Sequence, residues 1–381
     1  MLKNSAFLLI LAVLALCSLG LVMLASVSAF APANQGDTMF FIKRQGIWLS
    51  LGVIVCIISS QIDYHRWLHF TWLALAGSIL LMLLCLVPGI GMKINGAHRW
   101  LNLGPMNFQP VEAAKISVVI FLAMWLGKFQ KKVTSWKEGF VYPIAIVSLV
   151  LGCCVLQKDL GSTALLFTIT LILLFVAGTR IQFIAPIFIV GMAGILSVAL
   201  LMPQRLSRIM AFLNPEEHKL DAGWQLWHAL LAFGSGGLSG KGLGASVQKM
   251  EYLPESHTDF IFPIIGEELG LICTLTVVFC FLLLALSGGF ISCHAPEGSG
   301  VYLGMGLTSL IVLQTGMNMA VVTGLMPTKG IGLPFISYGG SNLLFCLFAI
   351  GVLLNIHKQA VYEVKPTQRA SSLPPVMRGR M

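Results

Sequence analysis

Ten apolar stretches, spread along almost the whole chain, constrain the fold more than any other feature of the sequence. They fall at about 6–30, 45–60, 70–87, 111–129, 140–156, 162–178, 181–202, 261–287, 301–326 and 339–356. Most approach the roughly 20 residues an α-helix needs to cross a hydrocarbon core. A transmembrane β-barrel would show shorter segments of alternating polarity instead. The chain is 57% hydrophobic and only 10% charged, whereas soluble domains carry about 25% charged residues. A soluble fold of this composition would expose large sticky patches. The sequence therefore predicts an all-α, polytopic integral membrane protein of about ten transmembrane helices. The stretches at 45–60, 140–156 and 162–178 are short, so their limits are the least sharply marked. The first stretch is too long for a signal-peptide core and lacks a cleavage site leading into a soluble domain, so it reads as retained.

Lys and Arg in short loops set the orientation. With the N-terminus inside, the cytoplasmic side carries Lys3, Arg66, Lys128, Lys131, Lys132, Lys137, Arg180 and the basic residues of the tail from Lys358 onward. The short outer loops carry fewer, namely Lys43, Arg44, Lys93, Arg99, Lys158 and Lys329. Both termini are then cytoplasmic. A single membrane domain covers 1–358, and a tail over 359–381, poor in large apolar residues, is expected to be disordered. One long loop, about 203–262, is extracytoplasmic. No internal repeat is visible, which weighs against inverted-repeat transporters. The net charge of +9 is accounted for by topology and by attraction to anionic lipid headgroups. Nothing resembles a nucleic-acid stripe, so no nucleic-acid partner is expected. Most of the nine cysteines lie within spans, where Cys acts as a small hydrophobe. Their spacing suggests neither zinc nor a disulfide framework.

Three shorter polar segments, 89–115, 157–162 and 326–341, share the outer face with the long loop. Four polar, Gly-rich elements on one face suggest one extracytoplasmic site, since irregular backbone at membrane depth is tolerated where it lines an enclosed cavity. Glu112 and Lys115, at i and i+3 on a predicted helix, share a face. They read either as a structural ion pair or as lining the site, with Lys115 meeting a phosphate. Asp159 reads either as the cap of the next helix or as a site residue. Arg99 is placed to hold an anionic headgroup, with Trp100 beside it as an interfacial anchor. The long loop carries Glu216, Glu217, Asp221, Glu251, Glu255 and Asp259. Asp259 stands between His257-Thr258 and the apolar run Phe260-Ile261-Phe262. Partial burial there would raise its pKa and poise it as a base; the alternative is a cap for the following span. At least one of Glu267 and Glu268 is expected to pair with an inward cation. The segment Gly234–Gly244, which includes Lys241, reads either as a phosphate cradle or as a flexible linker.

Together these motifs resemble the SEDS family of shape, elongation, division and sporulation proteins. The resemblance rests on Asn95-Gly96-Ala97-His98-Arg99-Trp100, Gln109-Pro110-Val111-Glu112-Ala113-Ala114-Lys115, Asp159-Leu160-Gly161, Gly223-Trp224-Gln225, Gly236-Gly237 through Gly240-Lys241-Gly242, His257-Thr258-Asp259-Phe260 with Glu267-Glu268, and Pro334-Phe335-Ile336-Ser337-Tyr338-Gly339-Gly340-Ser341. It implies ten spans and an inverting peptidoglycan glycosyltransferase that polymerises lipid II, with Asp259 as the essential extracytoplasmic aspartate. Met326-Pro327-Thr328-Lys329-Gly330 favours the division type over the elongation type. Two positions depart from the pattern: Val111 stands in place of Ser, and Lys158 in place of Pro. In the implied reaction the GlcNAc 4-hydroxyl of lipid II attacks MurNAc C1 of a polyprenyl-linked glycan strand, and undecaprenyl pyrophosphate leaves. The substrate-binding residues implied are Arg99, Glu112, Lys115, Asp159, Gln225, Lys241, His257, Lys329 and Ser337. No tightly bound cofactor is expected; a divalent cation, Mg or Mn, would serve the leaving pyrophosphate. The implied partners are a class B penicillin-binding protein acting as transpeptidase, other divisome or elongasome membrane proteins, and membrane lipids. A lipid II flippase is the rival reading. It would need polar groups through both halves of the bilayer, whereas here they gather on one face.

Overall fold

A computed structural model describes residues 2–28, 39–94, 96–102, 107–250 and 252–372. The side chain of Lys3, all of Glu251 and the tail beyond 372 lie outside the described parts. In chain order the elements are α1 (Leu2–Ser28), α2 (Phe40–Gln61), α3 (Tyr64–His69), α4 (Thr71–Leu84), β1 (Gly91–Ile94), β2 (Ala97–Asn102), β3 (Asn107–Phe108), α5 (Pro110–Lys128), α6 (Tyr142–Leu156), α7 (Leu160–Ala177), α8 (Ile181–Leu201), α9 (Pro203–Leu213), α10 (Trp224–Gly236), α11 (Ile261–Cys293), α12 (Gly298–Val322) and α13 (Gly340–Ser372). Among the described residues, nine helical segments are long and apolar enough to cross a membrane, and α4 is a shorter apolar helix in the place of the third expected span. The protein is thus an all-α, multi-pass membrane protein, as the ten apolar stretches predict.

Helix α5 is the axis of the bundle. It starts with Pro110 at its first turn and buries Glu112, Lys115 and most of its apolar residues against α4, α7 and α12. Helix α8 is the opposite case. Phe188, Ile189, Val190, Leu196 and Leu200 all point outward, as expected of a helix solvated by lipid. Helices α2 and α13 pack closely, because small residues let backbones approach in a membrane. A Cβ on Gly52 would fall 2.4 Å from Leu347 Cδ1, and one on Gly351 would fall 1.9 Å from Ser59 Oγ.

Three segments differ from the expectation. Residues 91–108 form a small antiparallel sheet in the order β1-β2-β3, with Met92 opposite Trp100 and Leu101 opposite Phe108. This shortens the third span, because the chain leaves the helix at Leu84 to build the sheet. The 203–262 stretch is not simply a loop, since it contains α9 and α10. Helix α13 continues past 358, where the sequence reading places a disordered tail.

Helix α11 carries a break at Gly270, with φ 74° and ψ −173°. The segment after α10 repairs that break. Lys241 N–H and Gly242 N–H donate to the carbonyls of Glu267 and Glu268 at 3.0 and 2.9 Å, and Leu271 N–H and Ile272 N–H donate to the carbonyls of Gly237 and Leu238 at 3.0 and 3.3 Å. The glycine-rich run is therefore neither cradle nor linker; its backbone splices into a broken membrane helix. Gly240 makes this possible, because a Cβ there would fall 2.1 Å from the Glu268 carbonyl oxygen.

Candidate functional site

One end of the bundle brings together β2, the α6–α7 junction, α9, the turn before α11 and the segment between α12 and α13. The α6–α7 junction is its hub. Lys158 adopts the left-handed conformation, φ 60°, and its carbonyl accepts hydrogen bonds from two guanidinium groups. Arg99 of β2 donates through Nη2 at 2.6 Å, and through Nε to the Gln157 carbonyl at 3.3 Å. Arg205 of α9 donates to the same Lys158 carbonyl. The next residue, Asp159, caps α7: it accepts from Ser162 N–H at 3.1 Å and from the Ser162 hydroxyl at 2.9 Å. Both readings of Asp159 meet here, because Lys329 crosses the same turn. A Cβ on Gly161 would lie 2.8 Å from Lys329 Cε and 2.9 Å from Asp159 Oδ1. Burial, then the charges of Arg205 and Arg99, push the Lys329 ammonium down to about 8 despite the attraction of Asp159. The N-terminus of α7 is itself a positive pole, which adds to the positive charge of Arg99, Arg205 and Lys329 at this point.

Asp259 closes the other side. The three carbonyls of His257, Thr258 and Asp259 are each held from outside the turn: Tyr338 N–H donates to His257 O at 2.9 Å, the Ser337 hydroxyl to Thr258 O at 2.5 Å, and Asn318 Nδ2 to Asp259 O at 2.8 Å. Within the turn, Thr258 N–H and Phe260 N–H donate to Glu255 O. The carboxyl of Asp259 lies under Gly330, where a Cβ would come within 2.9 Å of Oδ2. Burial, then the Glu255 carboxylate, push Asp259 up to about 7, against the pull of Arg208 and Arg99. Arg99 and Asp159 act electrostatically on both Asp259 and Lys329, which makes these groups one cluster.

The remaining expected site residues are placed as follows. Glu112 and Lys115 form a buried ion pair at 2.7 Å. Lys115 also donates to Gln314 Oε1 at 2.9 Å, Gln314 donates to Gly332 O at 3.2 Å, and Asn342 donates to Glu112 at 3.2 Å. The pair thus supports the 326–341 segment from inside the bundle. The ring of His257 stacks on Phe41 at 4.4 Å, and its burial lowers its pKa. Ser337 is occupied as a backbone clamp, also accepting from Leu333 N–H at 2.7 Å. Lys241 pairs with Glu267 at 2.8 Å, and Lys249 with Glu268 at 2.7 Å, so both acids are paired with a cation, where at least one was expected to be. Gln225 sits half-buried at the start of α10, and no hydrogen bond among the described residues joins it to the Asp259 cluster. No three His, Cys, Asp or Glu side chains converge among the described residues; a Mg or Mn ion carried by a pyrophosphate and one or two carboxylates needs no such cluster.

Sequence reasoning missed Arg205 and Arg208. Their signal was available: Leu206, Met210 and Leu213 make one exposed apolar face of α9, and Arg205 and Arg208 at i and i+3 lie off it. Asn318, in the last turns of α12, gave no signal beyond its polarity.

The sequence matches the Cell cycle protein family model that groups FtsW, RodA and SpoVE over residues 7–362. It is 42% identical over 349 residues to a probable peptidoglycan glycosyltransferase FtsW of Trichlorobacter lovleyi, covering 91% of this chain and 92% of that one. It is 40% identical over 356 residues to stage V sporulation protein E of Bacillus subtilis, covering 93% and 97%. Among solved structures it resembles a chain from a peptidoglycan synthase complex that coordinates polymerization and crosslinking, with TM-score 0.76, 26% identity and coverage of 92% and 97%. It also resembles the rod shape determining protein RodA of Thermus thermophilus, with TM-score 0.68, 26% identity and coverage of 92% and 96%. The chain belongs to the FtsW/RodA/SpoVE family.

Proposed function

We propose that this family member is a peptidoglycan glycosyltransferase that polymerises lipid II at the outer face of the bacterial cytoplasmic membrane, with both termini inside. The observation that carries the reading is one arrangement: a carboxyl with a pKa near neutrality, on a turn pinned by three hydrogen bonds, facing a group of fixed cations. Glycosyl transfer from a lipid pyrophosphate needs these two things together. Asp259 takes the proton from the attacking GlcNAc 4-hydroxyl. The 4-oxygen bonds to MurNAc C1 while the bond from C1 to the pyrophosphate oxygen breaks, and the configuration at C1 inverts. Charge develops on the departing pyrophosphate, where preorganised cations are most effective; Arg99, Arg205 and Lys329 supply them. The lipid-facing helices leave the polyprenyl chain in the bilayer throughout.

The names of the relatives favour the division type, with synthesis at the septum, so depletion should block septation. Rounding of rod cells with septa intact would indicate the elongation type. The likeness to a synthase complex that couples polymerization to crosslinking supports a crosslinking partner of the class B penicillin-binding type, which co-purification in mild detergent tests. Purified protein given fluorescent lipid II decides the activity. Polymer is the expected product; translocation without polymer would indicate a flippase, and neither would leave a scaffold.

A further inference from the structure

A cavity of about 150 Å³ opens beside the hairpin of β1 and β2. Lys93, His98 and Lys158 line its polar side, and Leu86 and Leu156 its apolar side. None of Asp259, Lys329 and Arg205 lines it, so it lies beside the site described above and meets it at the α6–α7 junction. No carboxylate lines it either, and neither lysine has a salt bridge among the described residues. His98 Nδ1 is buried with no hydrogen-bond partner, a cost that a ligand would relieve. The side-chain amide in the lining is already used, because Gln157 Nε2 donates to Met82 O at 2.7 Å.

The apolar side continues downward. Leu156 and Leu149 of α6 are 63% and 61% exposed, and Leu80 of α4 is 59% exposed. Helices α4 and α6 pack together, so an apolar face descends from the cavity between them. Basic groups above a hydrocarbon-facing surface match a ligand with an anionic head and an apolar tail. We propose that this cavity binds the phosphate head of a membrane lipid, held by Lys93, His98 and Lys158, with its chain along the α4–α6 face. A small free anion would make no use of the apolar side.

The site touches the catalytic end through Gln157 and Lys158, whose carbonyls both accept from Arg99. The Lys158 side chain faces this cavity, while its carbonyl anchors Arg99 and Arg205. A bound phosphate therefore acts on the residue that positions both guanidinium groups. The phosphate can come from an anionic glycerophospholipid or from a polyprenyl diphosphate, and the test separates them.

Full-length protein in detergent is titrated by native mass spectrometry with dioleoyl phosphatidylglycerol and, separately, with undecaprenyl diphosphate. The variant carries Lys93→Gln with Lys158→Asn, since Asn tolerates the left-handed backbone at that position. Each lysine is worth about fivefold in binding an anionic headgroup, so a loss of about 25-fold is expected. Lys128→Gln with Lys131→Gln is the control and should bind as wild type. His98→Leu should also weaken binding, and His98→Gln, which keeps a donor, should restore most of it. A loss confined to phosphatidylglycerol supports the site with bulk lipid as its source; a loss confined to the diphosphate supports it with the polyprenyl carrier. If a variant with wild-type thermal melting binds both lipids within twofold of wild type, the proposal is overturned. Binding is read without turnover, so this outcome leaves the proposed glycosyl transfer standing.

Discussion

Replacing Asp259 by Asn should inactivate the protein and stabilise it, and the combination is more informative than either effect. Raising the carboxyl from 3.8 to about 7 corresponds to about 4 kcal/mol at about 1.36 kcal/mol per pH unit. The sign follows from linkage. The folded pKa lies above the unfolded one, so the folded state holds the extra proton between these values, and stability falls as pH rises from about 4 to about 7. Above pH 7 the ionised carboxylate destabilises the fold by that amount at most. The side chain is only half-buried, so solvent screening reduces the figure, and about 2 kcal/mol is a fair expectation. Asn has almost the same shape and carries no charge. Asp259→Asn should therefore melt a few degrees higher than wild type at pH 8 and show little difference at pH 4.5. Losing the base should slow lipid II polymerisation by about 10²–10⁴-fold. The assays are a thiol-reactive dye melt at both pH values and gel separation of fluorescent glycan products. A wild-type polymerisation rate would refute the assignment of Asp259 as base. A variant that is inactive and melts lower at pH 8 would refute the electrostatic account of the site.

The pH profile of kcat/KM should rise as Asp259 ionises near 7 and fall as Lys329 loses its proton near 8, giving a narrow bell measured in the same polymerisation assay. Glu255→Gln removes the carboxylate that raises Asp259 after burial itself, so the acid limb should move to lower pH with activity retained; an unmoved limb would show that Glu255 does not act on Asp259. Glu112→Gln and Lys115→Met should each lose more stability than their double mutant, because breaking a buried pair leaves an uncompensated charge at a cost of about 3–5 kcal/mol; additive losses would argue against the contact. Gly270→Ala should fail to give folded protein by detergent gel filtration, since its Cβ would lie 2.4 Å from Gly240 N and its backbone angles are open to glycine almost alone.

The spans were legible because the bilayer forces a length and a polarity on each of them, and local sequence carries both. Asp259 was legible because an acid beside an apolar run implies burial. What could not be read were the partners, which lie far away in the chain. The Lys158 carbonyl meets Arg99 and Arg205 from β2 and α9, and no spacing rule connects these positions. The roles of Ser337 and His257 depend on the 326–341 segment folding back over the turn before α11, so their polarity suggested substrate contact where the structure shows a clamp and a stacked ring. The sheet was hidden for a different reason: 89–109 is rich in Gly and polar residues, a composition that also describes an irregular loop.

The glycine-rich run shows why composition alone misleads at such a site. Glycines that let backbone N–H groups approach a phosphate also let them approach a carbonyl. Which happens depends on what the opposite surface offers, and Gly270 offers it by breaking α11 and freeing the carbonyls of Glu267 and Glu268. Their side chains complete the joint: Glu267 accepts from Lys241, Ser246, Val247 N–H and Gln248 N–H, and Glu268 from Lys249, Ser26 and Gly244 N–H. The first part of α11 is thereby fixed to the segment before it as well as to α12. That part begins two residues after Asp259, so the splice holds Asp259 from one side while the three carbonyl bonds hold it from the other. A carboxylate whose own ionisation is destabilising would otherwise relax toward water, and its pKa would fall. The two restraints keep Asp259 where its burial makes it basic, and loosening either one should lower its pKa before it lowers the stability of the bundle.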